Sequence, residues 1–318
     1  MLKRAVKLGL RPAVFIPGIL AAAIMIPAGS ALAVVGLCYA YPTCQIYTSE
    51  AFGGIHPDGN SPAIVNEPTF VHAVARAAHM APGTPNKGLV LDAYGGLHPF
   101  GTQAGASDYP YYPGVDIARD FVFNTAGTGG YELDGYGGIH PFALGTSAPP
   151  AAASIYPYFP GRDVARKITM LADNNGGYVL DIYGGIHPWA VTGHALPVAM
   201  GAYPYWTTNV ARDIWLNPAA TAAGASGYVL DKFGGIHPFW GGTAASPVAI
   251  TNGPYWGTDI ARALFVPPGT SPATTTGYVL DAYGGIHPFA GSGQALPPAI
   301  FPYGYWPGKD LARNLFGG

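Results

Sequence analysis

Short apolar stretches alternate with polar turn residues along this chain, and one such stretch returns repeatedly. Residues 277 to 289 read GYVLDAYGGIHPF, with near copies at 88 to 100, 130 to 142, 177 to 189 and 227 to 239 and a degenerate copy, IYTSEAFGGIHP, at 46 to 57. Short apolar runs bounded by Gly and Pro predict β-strands, and the Gly-Gly pair supplies the positive φ angles that hairpin turns need. The pattern therefore predicts a repeated β-hairpin.

A second motif alternates with the hairpin. It reads DIAR, DVAR, NVAR, DIAR and DLAR, with a weaker AVAR, at 116 to 119, 163 to 166, 209 to 212, 259 to 262, 310 to 313 and 73 to 76. The Gly pairs recur at steps of 42, 42, 47, 50 and 50 residues, a period typical of propeller blades, and the units show no helical periodicity. Each unit is predicted to hold three strands, and the proline-rich segment between units has room for a fourth, outermost one.

The two ends of the chain complement each other. The chain begins with a hairpin at 46 to 57 that lacks a preceding DIAR strand, and it ends with DLARNLF at 310 to 316, which lacks a following hairpin. A closed ring of blades joins its ends in this way and so removes exposed sheet edges, whereas an open solenoid is expected to carry capping repeats. The sequence predicts an all-β, six-bladed β-propeller closed by pairing of that last strand with the N-terminal hairpin, and a solenoid is the alternative.

The N-terminus is typical of a secretory signal. Four basic residues lie between positions 3 and 11, an apolar stretch follows at 13 to 26, and Ala31-Leu32-Ala33 forms a small-x-small cleavage motif. We therefore expect residues 1 to 33 to be a signal peptide and 34 to 318 to form a single secreted domain with no membrane span. An uncleaved anchor is the alternative, and the sequence leaves open whether the secreted protein attaches to the cell surface.

Composition and charge narrow the class of partner. The chain has 318 residues, of which 49% are hydrophobic and 10% charged, so it can bury a core. Cleavage would remove four of the 15 Lys and Arg and none of the 17 Asp and Glu, leaving a net charge of about −6 that disfavours nucleic acid and anionic membranes. Cys38 and Cys44 are expected to form a disulfide outside the cell, because their spacing matches neither a zinc site nor a CxxC motif.

The repeated arginine is expected to be structural. In DIARDFVF, strand alternation puts Arg119 on the same face as Ile117 and Phe121, that is, into the layer between blades. A guanidinium there needs a carboxylate, which either the VLD aspartate or the DIAR aspartate can supply. We expect the repeated His to join the same hydrogen-bonded network, whose members are Arg119, Arg166, Arg212, Arg262, Arg313, Asp92, Asp134, Asp181, Asp231, Asp281, His98, His140, His187, His237 and His287.

Metal binding and catalysis by these residues are less favoured. Equivalent positions around a propeller lie too far apart to ligate one ion, so we expect no metal and no cofactor. No Ser or Cys nucleophile recurs beside the Asp and His, so no catalytic residue is assigned.

An aromatic motif supplies the candidate ligand-binding residues. It reads YPYYPG at 109 to 114, YPYFPG at 156 to 161, YPYW at 203 to 206, GPYW at 253 to 256 and YGYWPG at 303 to 308. Flat, weakly charged rings stack on sugar faces at low entropic cost. The candidates are Tyr112, Phe159, Trp206, Trp256 and Trp306. Packing between blades is the alternative role for these rings.

A single site would instead depend on residues that differ between the repeats. The clearest departures from the repeat are Asn209, Trp189, Trp240, His194, His72 and His79.

The repeat resembles one found in secreted bacterial β-propeller proteins, and the resemblance is carried by GYVLDxYGGIHPF combined with PYWxxDIAR. It is similar in layout to the GYWLVASDGGIFAFG repeats of secreted actinobacterial proteins, and the resemblance covers residues 46 to 316. The resemblance implies an extracellular propeller and says nothing about the ligand. The first unit departs from the pattern at Glu50 and Ala73.

Taken together, these features favour a secreted, monomeric, non-enzymatic binding or adhesion module that recognises carbohydrate, either a glycan or a cell-surface polymer. The alternatives are an extracellular hydrolase or lyase that uses one propeller face, and a scaffold for a protein partner.

Overall fold

The computed structural model describes residues 45–83 and 85–317. Within these ranges the chain forms strands and no helices, and the strands assemble into six antiparallel sheets of three or four strands. The all-β class predicted from the hydrophobic pattern is thus observed. The expected signal peptide at 1 to 33 and the expected Cys38–Cys44 disulfide lie outside the described residues.

The sheets are numbered here in the order in which the chain completes their hairpins. Sheet I contains β1 (Ile46–Glu50), β2 (Ile55–Asp58) and β21 (Ala312–Gly317). Sheet II contains β3 (Ala75–Met80), β4 (Gly88–Asp92) and β5 (Leu97–Phe100). Sheet III contains β6 (Ala106–Ser107), β7 (Ala118–Phe123), β8 (Gly129–Asp134) and β9 (Ile139–Leu144).

The remaining sheets repeat the same order. Sheet IV contains β10 (Ala153–Ile155), β11 (Ala165–Met170), β12 (Gly176–Asp181) and β13 (Ile186–Val191). Sheet V contains β14 (Ala211–Leu216), β15 (Gly224–Asp231) and β16 (Ile236–Gly242). Sheet VI contains β17 (Ile250–Asn252), β18 (Ala261–Phe265), β19 (Thr276–Asp281) and β20 (Ile286–Gly291).

Each sheet is an antiparallel meander. Its first strand begins at the alanine of the DIAR motif, its second carries the VLD motif and its third begins after the Gly-Gly turn. In sheets III, IV and VI the preceding proline-rich segment adds a short fourth strand beside the third. This position tolerates proline, because an edge strand can leave one side of its backbone unpaired. The DIAR strand is therefore at one edge of every sheet, and it is called the inner strand below.

Sheet I is built from both ends of the chain. Strand β1 pairs on one side with β2 and on the other with β21, in an antiparallel register that places Thr48 opposite Leu315. The inner strand β21 also contacts the inner strands β3 and β18 of the two neighbouring sheets. The N-terminal hairpin thus obtains its inner strand from the C-terminus.

The hydrophobic core is divided among the spaces between sheets. Six clusters of buried side chains lie in the described residues, and each joins two consecutive sheets. Tyr178 of sheet IV packs with Phe239 of sheet V, for example, while Tyr47 of sheet I packs with Phe100 of sheet II. One of these clusters also joins sheet VI to sheet I. Every sheet buries both faces against neighbours, which explains why the strands are almost continuously apolar.

Candidate functional site

The repeated arginines form ion pairs at one end of the inner strands. Arg119 donates from Nε and Nη2 to the two carboxylate oxygens of Asp163, at 3.0 and 2.5 Å, and from Nη1 to Asp116 at 2.8 Å. Arg166 donates to the same Asp163 at 2.8 Å. Each such aspartate is therefore shared by the arginines of two adjacent sheets. We name this alternating series the arginine belt, and it comprises Arg76, Asp116, Arg119, Asp163, Arg166, Arg212, Asp259, Arg262, Asp310 and Arg313.

Two substitutions interrupt the belt. Asn209 replaces one aspartate and still accepts a hydrogen bond from Arg212 Nη1 at 2.8 Å, but it carries no charge. Ala73 occupies the corresponding position before Arg76. Burial alone would raise the pKa of Asp163, and its ion pairs with the flanking arginines outweigh that effect, so the pKa lies below its usual value. Every arginine of the belt still has at least one carboxylate partner, which indicates a structural role.

The arginine side chains do not enter the layer between sheets in the way that strand alternation predicts. Ala118 and Asp120 pair with the consecutive residues Asp134 and Leu133, so that Arg119 between them is the extra residue of a β-bulge. A bulge interrupts the alternation of side chains and redirects the extra residue. Arg119 therefore meets the DIAR aspartates at the strand end, and no ion pair joins it to the VLD aspartate Asp134 among the described residues.

The repeated Asp and His form a separate set of contacts at the Gly-Gly turns. Asp92 Oδ1 accepts hydrogen bonds from the backbone N–H groups of Tyr94 and Gly96, at 2.8 and 2.9 Å, and its Oδ2 lies 2.8 Å from His98 Nε2. The same arrangement recurs with Asp134, Asp181, Asp231 and Asp281 and with His140, His187, His237 and His287. Each pair closes one hairpin, so the expected single network is two distinct sets of bonds.

The first repeat deviates at this turn. Glu50 replaces the aspartate, and its carboxylate accepts from the N–H groups of Phe52 and Gly54 at 2.9 Å. His56 Nε2 is buried and has no hydrogen-bond partner. The longer side chain thus keeps the turn and loses the histidine contact.

The five aromatic residues predicted to bind ligand are partly buried between sheets. Trp256 donates its backbone N–H to Phe233 at 2.7 Å and so lies across the Gly-Gly turn of sheet V. Its ring also meets His287 of sheet VI edge to face, with centroids 5.0 Å apart. Gly234 in that turn has φ +94°, and a Cβ there would lie 2.7 Å from Trp256 Cζ3. The ring is therefore a wedge between two sheets, and the close contact requires glycine.

The same wedge recurs at equivalent positions. Trp206, Phe159, Tyr112 and Trp306 each contact the histidine of the following sheet, and Phe70 does so in the first repeat. The Tyr112 hydroxyl also lies 3.1 Å from His140 Nε2. These contacts favour the packing role that the sequence left as the alternative.

In the five repeats that carry the aromatic motif, the tyrosine just before the wedge is exposed. These residues are between 54% and 72% exposed, and we name them the exposed tyrosines: Tyr111, Tyr158, Tyr205, Tyr255 and Tyr305. Two of them stand beside the aromatic residue of their own turn, with Tyr205 6.5 Å from Tyr183 and Tyr255 6.3 Å from Phe233 between centroids. The sequence named the other ring of each pair as the ligand candidate. Adjacent residues of an extended segment point in opposite directions, so a buried Trp implies an outward Tyr.

The residues that break the repeat are scattered. Trp189 is fully buried and donates from Nε1 to the Thr169 carbonyl at 3.1 Å, whereas His72 and His194 are exposed. His79 lies 3.0 Å from Asp120. The described residues hold no group of three or more His, Cys, Asp and Glu side chains that could ligate a metal. They also include no helix with the length and apolar character that crossing a membrane requires.

Comparison with known proteins adds little. No family model matches the chain, and no curated protein is similar to it. A crystal structure of a nidogen/laminin complex is similar over 86% of this chain and 98% of the other, at 10% identity and a TM-score of 0.47. A putative 6-phosphogluconolactonase from Bacteroides uniformis matches 86% of this chain and 99% of its own, at 14% identity and a TM-score of 0.44. These likenesses are too weak to carry an argument, so the fold rests on the strand pairing described above.

Proposed function

We propose that the six sheets are the blades of one closed β-propeller. The contacts between sheets follow a cyclic order, which supports this proposal. Each hydrophobic cluster joins consecutive sheets, sheet VI packs on sheet I, and sheet I takes strands from both ends of the chain. The arginine belt follows the same order from sheet II to sheet I. Closure would leave no inner strand without two neighbours.

The function that this arrangement supports best is binding of a carbohydrate polymer outside the cell. The exposed tyrosines carry the proposal, because the same weakly charged ring is presented by five successive units. The Gly-Gly turns and the arginine ends of the inner strands lie at the same end of the sheets, since Ala165 beside Arg166 pairs with Asp181 just before a turn. Each exposed tyrosine directly precedes the wedge residue whose backbone N–H donates to one of those turns, so the exposed tyrosines occupy one end of the sheets.

The chemistry of this end suits sugars. A tyrosine ring stacks on the C–H face of a pyranose, and its hydroxyl bonds to the sugar hydroxyls. Individual contacts of this kind are weak, but a polymer that engages several equivalent sites gains avidity from their linkage. A secretory leader over residues 1 to 33 would place the domain where such polymers occur, and the propeller would act as a monomer.

The test is a binding assay of the purified chain on a glycan array and on insoluble bacterial and plant polysaccharides. We expect saturable binding to at least one polymer, weakened a few-fold by Tyr255→Ala and by at least about tenfold when all five exposed tyrosines are Ala. Substitution of residues that are more than half exposed should leave stability nearly unchanged, which thermal unfolding would verify.

The matched control is Leu196→Ala with Leu296→Ala. Both leucines are 42% exposed, and both follow the far end of a third strand, away from the turns. The control should bind as the wild type does. If no polysaccharide binds, or if the five-tyrosine variant binds as well as the wild type, the carbohydrate proposal fails. Saturable binding of a protein to the same end would then favour a scaffold.

A further inference from the structure

The position after each repeated arginine differs from repeat to repeat. It holds Ala77, Asp120, Lys167, Asp213, Ala263 and Asn314, although the arginine before it is invariant. In the structure the polar members of this set meet. Lys167 Nζ lies 3.3 Å from Asn314 Oδ1, across 147 positions of sequence. Since Lys167 is in sheet IV and Asn314 in sheet I, the contact joins inner strands three sheets apart and crosses the space that the inner strands enclose.

Lys167 is only partly satisfied by its neighbours. It is 9% exposed, and its Nζ lies 3.9 Å from Asp120 Oδ1 and 3.8 Å from Asp213 Oδ1. Those two distances exceed the hydrogen-bond range, so an ammonium group with three donors has one short contact, to Asn314. Burial opposes the charge on Lys167, and the two carboxylates outweigh burial and raise its pKa. The ammonium group thus lies between two carboxylates, without a short contact to either.

Hydrogen bonds from neighbouring strands hold the two carboxylates in place. Asp120 Oδ2 accepts from the N–H of Ile168 at 3.1 Å, and its Oδ1 lies 3.0 Å from His79 Nε2. Asp213 Oδ2 accepts from the N–H of Leu264 at 2.8 Å. These bonds fix both groups to neighbouring strands and leave acceptor capacity toward Lys167. The arrangement is preorganised, because little side-chain freedom remains to be lost on binding.

The polar residues form the wall of a cavity of about 280 Å³, which we name the central cavity. Its other wall is apolar and includes Trp215, Phe265 and Phe316. The lining continues to Gly317, at the end of the inner strand farthest from the arginine belt. The central cavity therefore lies on the side away from the exposed tyrosines. Its volume is near the lower end of small-molecule sites, which span about 300–1,000 Å³.

We infer that the central cavity binds one small, neutral, polyhydroxylated molecule of about monosaccharide size. A hydroxyl oxygen of the ligand accepts a hydrogen bond from Lys167 Nζ. Other hydroxyl groups of the ligand donate hydrogen bonds to the carboxylates of Asp120 and Asp213. The apolar face of the ligand packs on the wall that contains Trp215. The carboxyl groups of Asp120 and Asp213 lie on either side of the one cation, which disfavours binding of carboxylates and phosphates. The site is single and asymmetric, and it is independent of the polymer sites proposed above.

The experiment is calorimetric titration of the purified chain with methyl glycosides of glucose, galactose, mannose and N-acetylglucosamine and with inositol. Glucuronate and glucose 6-phosphate serve as anionic comparisons. We expect one of the neutral probes to bind with a stoichiometry of one and an affinity of about millimolar or tighter, and the anionic probes to bind more weakly. Titration with short oligosaccharides then distinguishes a free monosaccharide from the terminal sugar of a chain as the ligand. An oligosaccharide binds only if the cavity admits the end of a chain.

Three variants locate the site. Asn314→Ala removes the short contact of Lys167 and should weaken binding, and Lys167→Met combined with Asp213→Asn should weaken it about tenfold or more. The double variant removes one charge of each sign, so the net charge of the cluster is unchanged, and Asp120 keeps its contacts with His79 and the Ile168 N–H. Thermal unfolding verifies that the variant is folded. The five-tyrosine variant should bind the small probe with unchanged affinity, which makes failure here distinguishable from failure of the polymer proposal. The inference is overturned if no neutral probe binds or if an anionic probe binds more tightly than the neutral ones. It is also overturned if neither Asn314→Ala nor the Lys167→Met/Asp213→Asn variant changes the affinity.

Discussion

Replacement of Glu132 by valine should stabilise this protein, and by an amount that grows with pH. Glu132 lies in β8, its side chain is fully buried, and neither carboxyl oxygen has a hydrogen-bond partner. The equivalent residues of four other repeats are Val90, Val179, Val229 and Val279. The glutamate is therefore a polar residue at a position that the repeat otherwise fills with an apolar one.

The magnitude follows from the protonation of this group. Burial, together with the nearby charges of Asp92 and Asp134, raises the pKa of Glu132 from 4.5 to about 9. A raised pKa means that the stabilising effect of the bound proton is complete below pH 4.5 and is lost as pH rises toward 9. The loss is about 1.4 kcal/mol for each pH unit in that window, or about 3 kcal/mol between pH 4.5 and pH 7.

A contribution independent of pH is added to this. A buried carboxyl without a partner costs about 1–3 kcal/mol even when it is protonated. We therefore expect Glu132→Val to raise the free energy of unfolding by about 2 kcal/mol at pH 5 and by about 4–5 kcal/mol at pH 7. Urea unfolding of both proteins at pH 5, 6, 7 and 8 measures the difference, and titrations common to both proteins cancel in it.

Glu132→Gln is the matched control. This variant removes the titrating proton and keeps an unpaired polar group. Its free energy of unfolding should therefore be close to that of the wild type at pH 5 and exceed it increasingly as pH rises. A difference between Glu132→Val and the wild type that is constant from pH 5 to pH 8 would refute the reasoning, because it would mean that the carboxyl does not titrate in a buried environment.

Three further outcomes test the packing. Trp256→Ala should cost about 3 kcal/mol of unfolding free energy because the ring is a wedge, whereas Tyr255→Ala should change it by less than about 0.5 kcal/mol; equal effects in urea unfolding would contradict the assignment of buried and exposed rings. Phe316→Ala should cost about 3–5 kcal/mol, as much as Phe142→Ala in sheet III, because the C-terminal strand is packed on both sides; a negligible loss would argue against joined ends. Arg262→Ala should lower the unfolding free energy by about 2 kcal/mol through loss of its charged hydrogen bonds, and a melting temperature within error of the wild type would count against a structural belt.

Local patterns in the sequence were sufficient for the strands and turns. Apolar runs and Gly-Gly pairs predicted the hairpins where the structure has them, because hairpin formation depends on neighbouring residues and on the φ angles that glycine allows. The same reasoning failed for Arg119. The alternation rule assumes an unbroken ladder, and a bulge at that residue changes the side of the strand on which the arginine lies.

The candidate site shows the same limit. The sequence located the aromatic motif and left Trp256 with two possible roles, ligand binding and packing. Trp256 and Tyr255 are both large aromatic residues, and only the position of His287 in the next sheet decides which one is covered. The central cavity left a weaker trace, a variable residue after an invariant arginine. Nothing in the sequence indicates that Lys167 and Asn314 meet.

The sequence by itself determined the repeating unit, its three strands and its tight turn, because these depend on residue type and local spacing. The tertiary structure alone decided which carboxylate pairs with each arginine, which tyrosines face solvent and which polar residues converge at the centre. Those outcomes depend on the packing of one sheet against the next, where the contacting residues are separated by an entire repeat or more. Local sequence patterns do not determine which of these distant residues meet, and the arrangement of the sheets does determine it.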